Sequence, residues 1–253
     1  MDKALEAVRE QARFLANNYS LEFYAHFAKE YGISREIFFS HPLIYRLRED
    51  VLPFLNDGFG HGVEHSKKVS IDAGALTLIE ARILAQEFQE IKRLCLLAQM
   101  SGLLHDISRW EEDHARKGAE AALIVLNNYP LSRQEREDLA FAVQNHEAFK
   151  EVLPADNNRQ ELLSGVLYDA DKFRWGPDNF ITTLWEICTF EQWSLEEIIE
   201  RFPKGLTYIT SIQDTFRTPT GQLYGPEFIQ CGLELGKQVY RILKEKSRKG
   251  VEE

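Results

Sequence analysis

Apolar residues recur along this chain at three- and four-residue spacing almost from end to end, the period of helices that bury one face. Leu5, Val8, Ala12 and Leu15 form the first such stripe, and "LEFYAHFAKEYG" predicts a second helix closing at Gly32. Ser34 and Pro42 open short helices ahead of Pro53. The glycines of "NDGFGHG" interrupt the pattern at 56–62, and a long helix is expected over 63–90. Residues 91–104 are apolar on most sides, which places their helix at the centre. More helices are expected near 113–128, 133–149, 161–172, 178–190 and 194–202. The loop "FRTPTGQLYG" then leads into a last helix opened by Pro226 and Glu227, a favourable first-turn pair. No strand alternation, internal repeat or low-complexity segment competes with this pattern. The expected fold is an all-α bundle.

Composition narrows the function classes. A net charge of −10 across 253 residues lacks the basic excess of a general nucleic-acid binder, so no nucleic-acid partner is expected. An anionic small molecule stays compatible, because a metal ion and a few local cations outweigh distant surface charge. Cys95, Cys188 and Cys231 are isolated, with no CxxC spacing, which fits reduced thiols better than a disulfide framework. The N-terminus alternates charged and apolar residues, and the apolar run near 94–104 is too short for a bilayer. These features predict a soluble cytoplasmic protein without a membrane partner.

The chemistry concentrates where the central helix ends, in "SGLLHDISRW". An imidazole and a carboxylate there, at His105 and Asp106, need satisfaction if buried. His65 shares a stripe with Val69, Asp72, Ala73 and Leu76, His146 with Leu139 and Val143, and Asp171 with Leu163 and Leu167. Four predicted helices thus each turn a ligand-capable side chain inward, as metal sites in bundle cores require. Each residue alone has an ordinary explanation. A core histidine bonds a backbone carbonyl, Asp171 caps a helix or pairs with Lys172 or Arg174, and an HD dipeptide arises by chance. Several unrelated buried polar groups in one core are harder to satisfy independently than one shared ion.

The segments "HSKKV" at 65–69, "LLHDI" at 103–107 and "DADKF" at 169–173 resemble the signatures of the HD-domain superfamily of all-α, metal-dependent phosphohydrolases. The resemblance covers about 57–176. It implies an HD-type core there, an N-terminal helical extension over 1–56, and C-terminal helices over 177–253 packing on the core. It makes His65, His105, Asp106 and Asp171 the ligands of one divalent metal, with Asp171 preferred to Asp169. His114, in "DHARKGAEAA", and His146, in "NHEAF", fall where relatives carry a second-metal or phosphate-contacting histidine. Imidazole ligands suit Mn, Fe, Co, Ni or Zn better than Mg. Such an ion lowers the pKa of a bound water and polarises a phosphoryl oxygen. Asp106 then orients the water, and His114 or His146 serves as a proton donor. Arg109, Lys68, Lys172 and Lys117 are phosphate candidates, Arg109 foremost because its backbone sits beside the HD pair.

The expected function is hydrolysis of a phosphomonoester or phosphodiester, on a nucleotide or small metabolite. The alternatives are a di-iron oxygenase of the same superfamily and a non-catalytic nucleotide-sensing module. A dimer is compatible with the sequence. His61, at i, i+4 from His65 but between Gly60 and Gly62, belongs to a turn or a pocket mouth. His26 and His41 are assigned structural roles. The aromatic stretch 173–193 is read as helix packing in preference to a base-stacking wall, and the loop 214–225 as a connector in preference to a lid.

Overall fold

The computed structural model describes residues 3–55, 62–83 and 88–250, and all regular structure among them is helical. Twelve α-helices are described: α1 (Lys3–Ala16), α2 (Glu22–His26), α3 (Ala28–Ser40), α4 (Pro42–Val51), α5 (Val63–Ile83), α6 (Phe88–Leu104), α7 (His114–Leu126), α8 (Arg133–Gln144), α9 (Asn158–Phe173), α10 (Leu184–Phe190), α11 (Leu195–Thr210) and α12 (Pro219–Gly250). A 3-10 turn, Leu52–Phe54, follows α4, and a π-helical turn, Asn179–Thr183, precedes α10. No helix among the described residues is long and apolar enough to cross a membrane.

The apolar run of α6 produces the buried centre it predicts: every residue from Leu94 to Leu104 is buried. Helix α5 lies along α6, and α9 packs on both. Helices α7 and α8 pair with each other, and α8 also contacts α6 and α9. From the N-terminal side α3 packs on α5 and α4 on α6; from the C-terminal side α12 contacts α1, α5, α9 and α11. Local capping sets several starts. Ser132 with Glu135 and Ser194 with Glu197 form reciprocal capping boxes on α8 and α11. Asn157 accepts from Arg159 N and Gln160 N, both at 3.0 Å, to open α9. His41 Nδ1 accepts from Leu43 N at 3.2 Å, so His41 is the cap of α4.

Several expected boundaries shift. Gly32 does not end a helix: α3 runs through it, since the position is exposed and a lone helical glycine costs only about 1 kcal/mol. Of the expected helix over 63–90, α5 covers Val63–Ile83 and α6 covers Phe88 onward among the described residues; residues 84–87 lie outside them, as does His61. The expected helix over 133–149 ends at Gln144, because the side chain of Asn145 pairs with both backbone groups of Leu153. The helix expected to end at 202 continues to Thr210 with Pro203 inside it. The last helix starts at Pro219, seven residues before Pro226, because Thr218 Oγ1 accepts from Gly221 N at 2.9 Å as a cap. Glu227, expected in the first turn of α12, instead accepts from Glu22 N at 3.0 Å across the fold.

Candidate metal centre

Six of the sequence candidates converge. His65 stands in the first turn of α5, Asp171 in the last turn of α9, and His114 opens α7. His105 and Asp106 occupy the turn that leaves α6, and His146 lies in the turn after α8. His146 is therefore not on a helix face, contrary to its expected register with Leu139 and Val143. Asp113, just before α7, takes a left-handed backbone at φ 58°, which Asp tolerates better than most residues. His105, Asp106, His146 and Asp171 are buried, while His65 and His114 are partly so.

The donors fall into two trios. Ligand-capable atoms of His65, His105 and Asp171 lie within 4.8 Å of one another, and those of Asp106, His114 and His146 do the same. His65 Nε2 is 3.1 Å from His105 Nε2 and 3.2 Å from Asp171 Oδ1. Asp106 stands between the trios. Its Oδ2 is 3.1 Å from His105 Nε2 and 3.8 Å from His65 Nε2, while its Oδ1 is 3.5 Å from His146 Nε2 and 4.0 Å from His114 Nε2. Each of its oxygens faces a different trio.

The rings are oriented by backbone carbonyls. His105 Nδ1 lies 2.8 Å from Gly102 O and His146 Nδ1 lies 2.6 Å from Val143 O, so each Nδ1 carries the proton and donates. The Nε2 of each ring then faces the cluster, the side from which a metal would be ligated. These backbone bonds and a shared cluster coexist, so for His105 and His146 the ordinary explanation does not compete with a metal site. Four imidazoles and two carboxylates in two trios fit divalent ions of the Mn-to-Zn series.

Electrostatics sharpen the picture. Burial acts to raise Asp171, but Lys172, His65 and His105 hold it well below the usual carboxylate range. Lys172 Nζ donates to Asp171 Oδ2 and lies over the Tyr168 ring at 5.0 Å. Burial pushes His105 down, yet the Asp106 carboxylate overrides it and the imidazole titrates above its ordinary value. His114 is lowered to about 4 by burial, by His146 and by Arg109. Arg109 Nη1 donates to His114 Nε2 at 2.9 Å and stands 3.9 Å from Asp106 Oδ1.

A cavity of about 410 Å³ opens on the cluster, with His65, Asp106, His146 and Asp171 in its wall beside Arg109 and Lys172. Two other cation candidates lie elsewhere. Lys68 Nζ donates to Asp178 Oδ1 at 2.6 Å in a separate cavity of about 240 Å³, because α5 turns it toward the segment after α9. Lys117 pairs with Glu111 at 2.7 Å on the surface. Arg174 joins Asp72, Asp178 and Tyr24 in a buried network and does not pair with Asp171. Burial raises Asp72 to about 6 against the opposing pull of Arg174.

Asp169 shows why one aspartate of "DAD" faces the cluster and the other does not. Its carboxylate accepts from Arg217 N at 2.8 Å, Thr218 N at 2.8 Å and Thr218 Oγ1 at 2.6 Å, on the opposite side of α9. Arg217 in turn donates to Asn145 O at 2.8 Å, next to His146, and stacks over Tyr168. Of the expected loop 214–225, residues 214–218 are thus a clamped connector, and 219–225 belong to α12. Within the aromatic stretch Phe173, Phe180 and Trp185 are core, and Phe180 lines the cavity together with the partly buried Trp175 and Trp193. Sequence reasoning missed Glu147, 3.8 Å from His114 Nδ1, and the whole contribution of α11 to the cavity wall. Glu147 follows His146 directly, which was the only available signal. Comparison with family models, curated proteins and solved structures yields no match for this chain.

Proposed function

We propose that the chain is a metal-dependent phosphohydrolase in which His65, His105 and Asp171 would hold one divalent ion and His114 and His146 a second, with an oxygen of Asp106 toward each. The observation that carries this reading is the placement of Asp106, one oxygen toward each histidine-containing trio, at the base of a cavity that also presents Arg109 and Lys172. The resemblance of 65–69, 103–107 and 169–173 to the HD superfamily points the same way. A divalent ion bound there supplies Lewis acidity toward a phosphoryl oxygen and acidifies a coordinated water.

The chain's own residues do the rest. Gly102 O and Val143 O fix the rings of His105 and His146 through their Nδ1 protons. Lys172 holds Asp171 in its anionic form. Arg109 offers a guanidinium to an incoming anion, and its planar fork suits phosphate geometry. The histidine-rich pair of trios also suits two irons and dioxygen chemistry, which is the second reading.

The test is a metal-reconstituted phosphatase and phosphodiesterase panel on wild type and Asp106→Ala. Turnover with Mn or Co, lost with a chelator and lost in the variant while circular dichroism stays helical, supports the phosphohydrolase. Oxygen consumption with iron, and no phosphate release with any metal, overturns it in favour of the oxygenase.

A further inference from the structure

The cavity has two unlike ends. Toward the α6–α7 turn it carries the His/Asp cluster, Arg109 and Lys172; away from it the wall is built by the segment 179–209. Phe180, Leu184, Ile187, Ile198, Phe202 and Ile209 face into the space from that segment. Phe180 comes from the π-helical turn, and the others follow helical spacing on α10 and α11, so both helices turn an apolar face to the cavity. Phe180 stacks with Phe202 at 5.8 Å, which fixes the wall's shape. Arg201 lies over the Trp193 ring at 4.7 Å and is exposed, so its charge sits at the rim. Asn179 and Thr183 are the uncharged polar side chains of the π-helical turn on this wall.

A polar organic group buried against such a wall finds few hydrogen-bonding side chains, Asn179, Thr183 and Tyr208 among them, and each position left unmet carries a substantial cost. A sugar and base edge would meet that penalty repeatedly, whereas an aliphatic chain meets none and gains from every methylene removed from water. Charge at one end and hydrocarbon at the other is the complement of an amphiphilic anion. The volume is in the range of pockets that enclose small organic ligands.

We infer that this cavity takes phosphate monoesters of aliphatic alcohols, the phosphate against the His/Asp cluster with Arg109 and the chain along α10 and α11. The inference rests on the phosphohydrolase reading for the head group and names its substrate class. Of the expected nucleotide or small metabolite, it selects the small metabolite.

Binding and turnover are measured separately, so that the two ideas fail separately. Ethyl-, butyl-, hexyl- and octylphosphonate, which are not hydrolysed, are titrated into the Mn-loaded full chain. Trp175 and Trp193 on the wall report through their emission, and calorimetry gives the affinity. Affinity rises at least tenfold from ethyl to octyl, since each buried methylene contributes up to roughly fourfold. It exceeds the affinities of 1-octanol and adenosine 5′-monophosphate. Leu184→Asn and, as a milder change, Ile187→Thr each lower octylphosphonate affinity at least fivefold and leave ethylphosphonate within twofold. A flat chain-length series overturns the inference, as does 1-octanol binding as tightly as octylphosphonate, or the nucleotide binding best. Release of phosphate from octyl phosphate is read alongside: its absence with rising phosphonate affinity overturns the hydrolase reading and keeps the ligand class. Turnover of a polar ester with a flat series does the reverse.

Discussion

Replacing Gly102 by alanine perturbs the two helices that carry most of the site. Gly102 sits three residues before His105, and its carbonyl receives the His105 Nδ1 proton. A Cβ at this position would lie 2.6 Å from Ser70 Cα, 2.7 Å from Ser70 Oγ and 2.8 Å from Ser70 N. Ordinary contact begins near 3.4 Å, so α5 and α6 must separate by about 0.8 Å, and the obstacle is backbone that cannot rotate away. Overpacking of this kind costs about 1–3 kcal/mol, offset by about 1 kcal/mol of helix propensity gained from Gly to Ala. A net loss of up to about 2 kcal/mol is expected in urea unfolding. The larger effect falls on the centre. His65 and Ser70 share α5, and the His65–His105 distance of 3.1 Å depends on the α5–α6 spacing. Metal sites tolerate displacements of about 0.5 Å, so Mn affinity by calorimetry drops at least tenfold. Gly32→Ala is the control, because nothing lies within 4 Å of a Cβ there and the residue is exposed in α3. It gains about 0.5–1 kcal/mol and leaves metal affinity unchanged. Gly102→Ala as stable as wild type with wild-type Mn affinity refutes the reasoning.

Three further expectations are independent of that pair. Arg109→Ala weakens inorganic phosphate inhibition and raises KM for a phosphate ester at least fivefold with unchanged thermal unfolding; an unchanged KM removes Arg109 from the anion site. Asp169→Ala strands two backbone N–H groups and a hydroxyl of 217–218, costing about 3–5 kcal/mol. Asp169→Asn, which keeps acceptor oxygen, loses less, and equal losses would show that the carboxylate's bonds are not what holds the loop. Glu135 is raised by burial but brought down to about 2 by Arg93 and by Ser132 N–H. A folded-state pKa below the ordinary value stabilises above about 4.5, and that stability is lost as pH falls toward 2. After solvent screening this is about 1–2 kcal/mol. Glu135→Gln therefore narrows the gap to wild type between pH 5 and pH 2, whereas a constant gap across that range contradicts the linkage.

What the sequence reveals and what it hides separate along physical lines. Helix α6 is legible because burial on all sides leaves a continuous apolar run, and the starts of α8 and α11 because their capping boxes are local. The HD pair stands out as polar residues at the end of that run. The start of α12 is not legible: Pro219 and Pro226 are both compatible with a first turn, and Thr218 is selected by Asp169, 49 residues away. The end of α8 is hidden for the same reason, since Asn145 stops it by pairing with Leu153 across a loop. Lys68 has the spacing of a phosphate ligand, yet Asp178, 110 residues on, determines where it points. The cavity wall follows from how α10 and α11 seat on the bundle, and periodicity identifies an apolar face without saying what it faces.

The central claim is that Asp106 joins two metal sites. The most direct measurement is the stoichiometry of Mn or Co binding to wild type, Asp106→Ala and His146→Ala, by calorimetry with elemental analysis of the dialysed protein. Two ions per chain are expected in wild type, one in His146→Ala, and loss of both high-affinity sites in Asp106→Ala. Two ions retained in Asp106→Ala, or none bound by wild type, contradicts it.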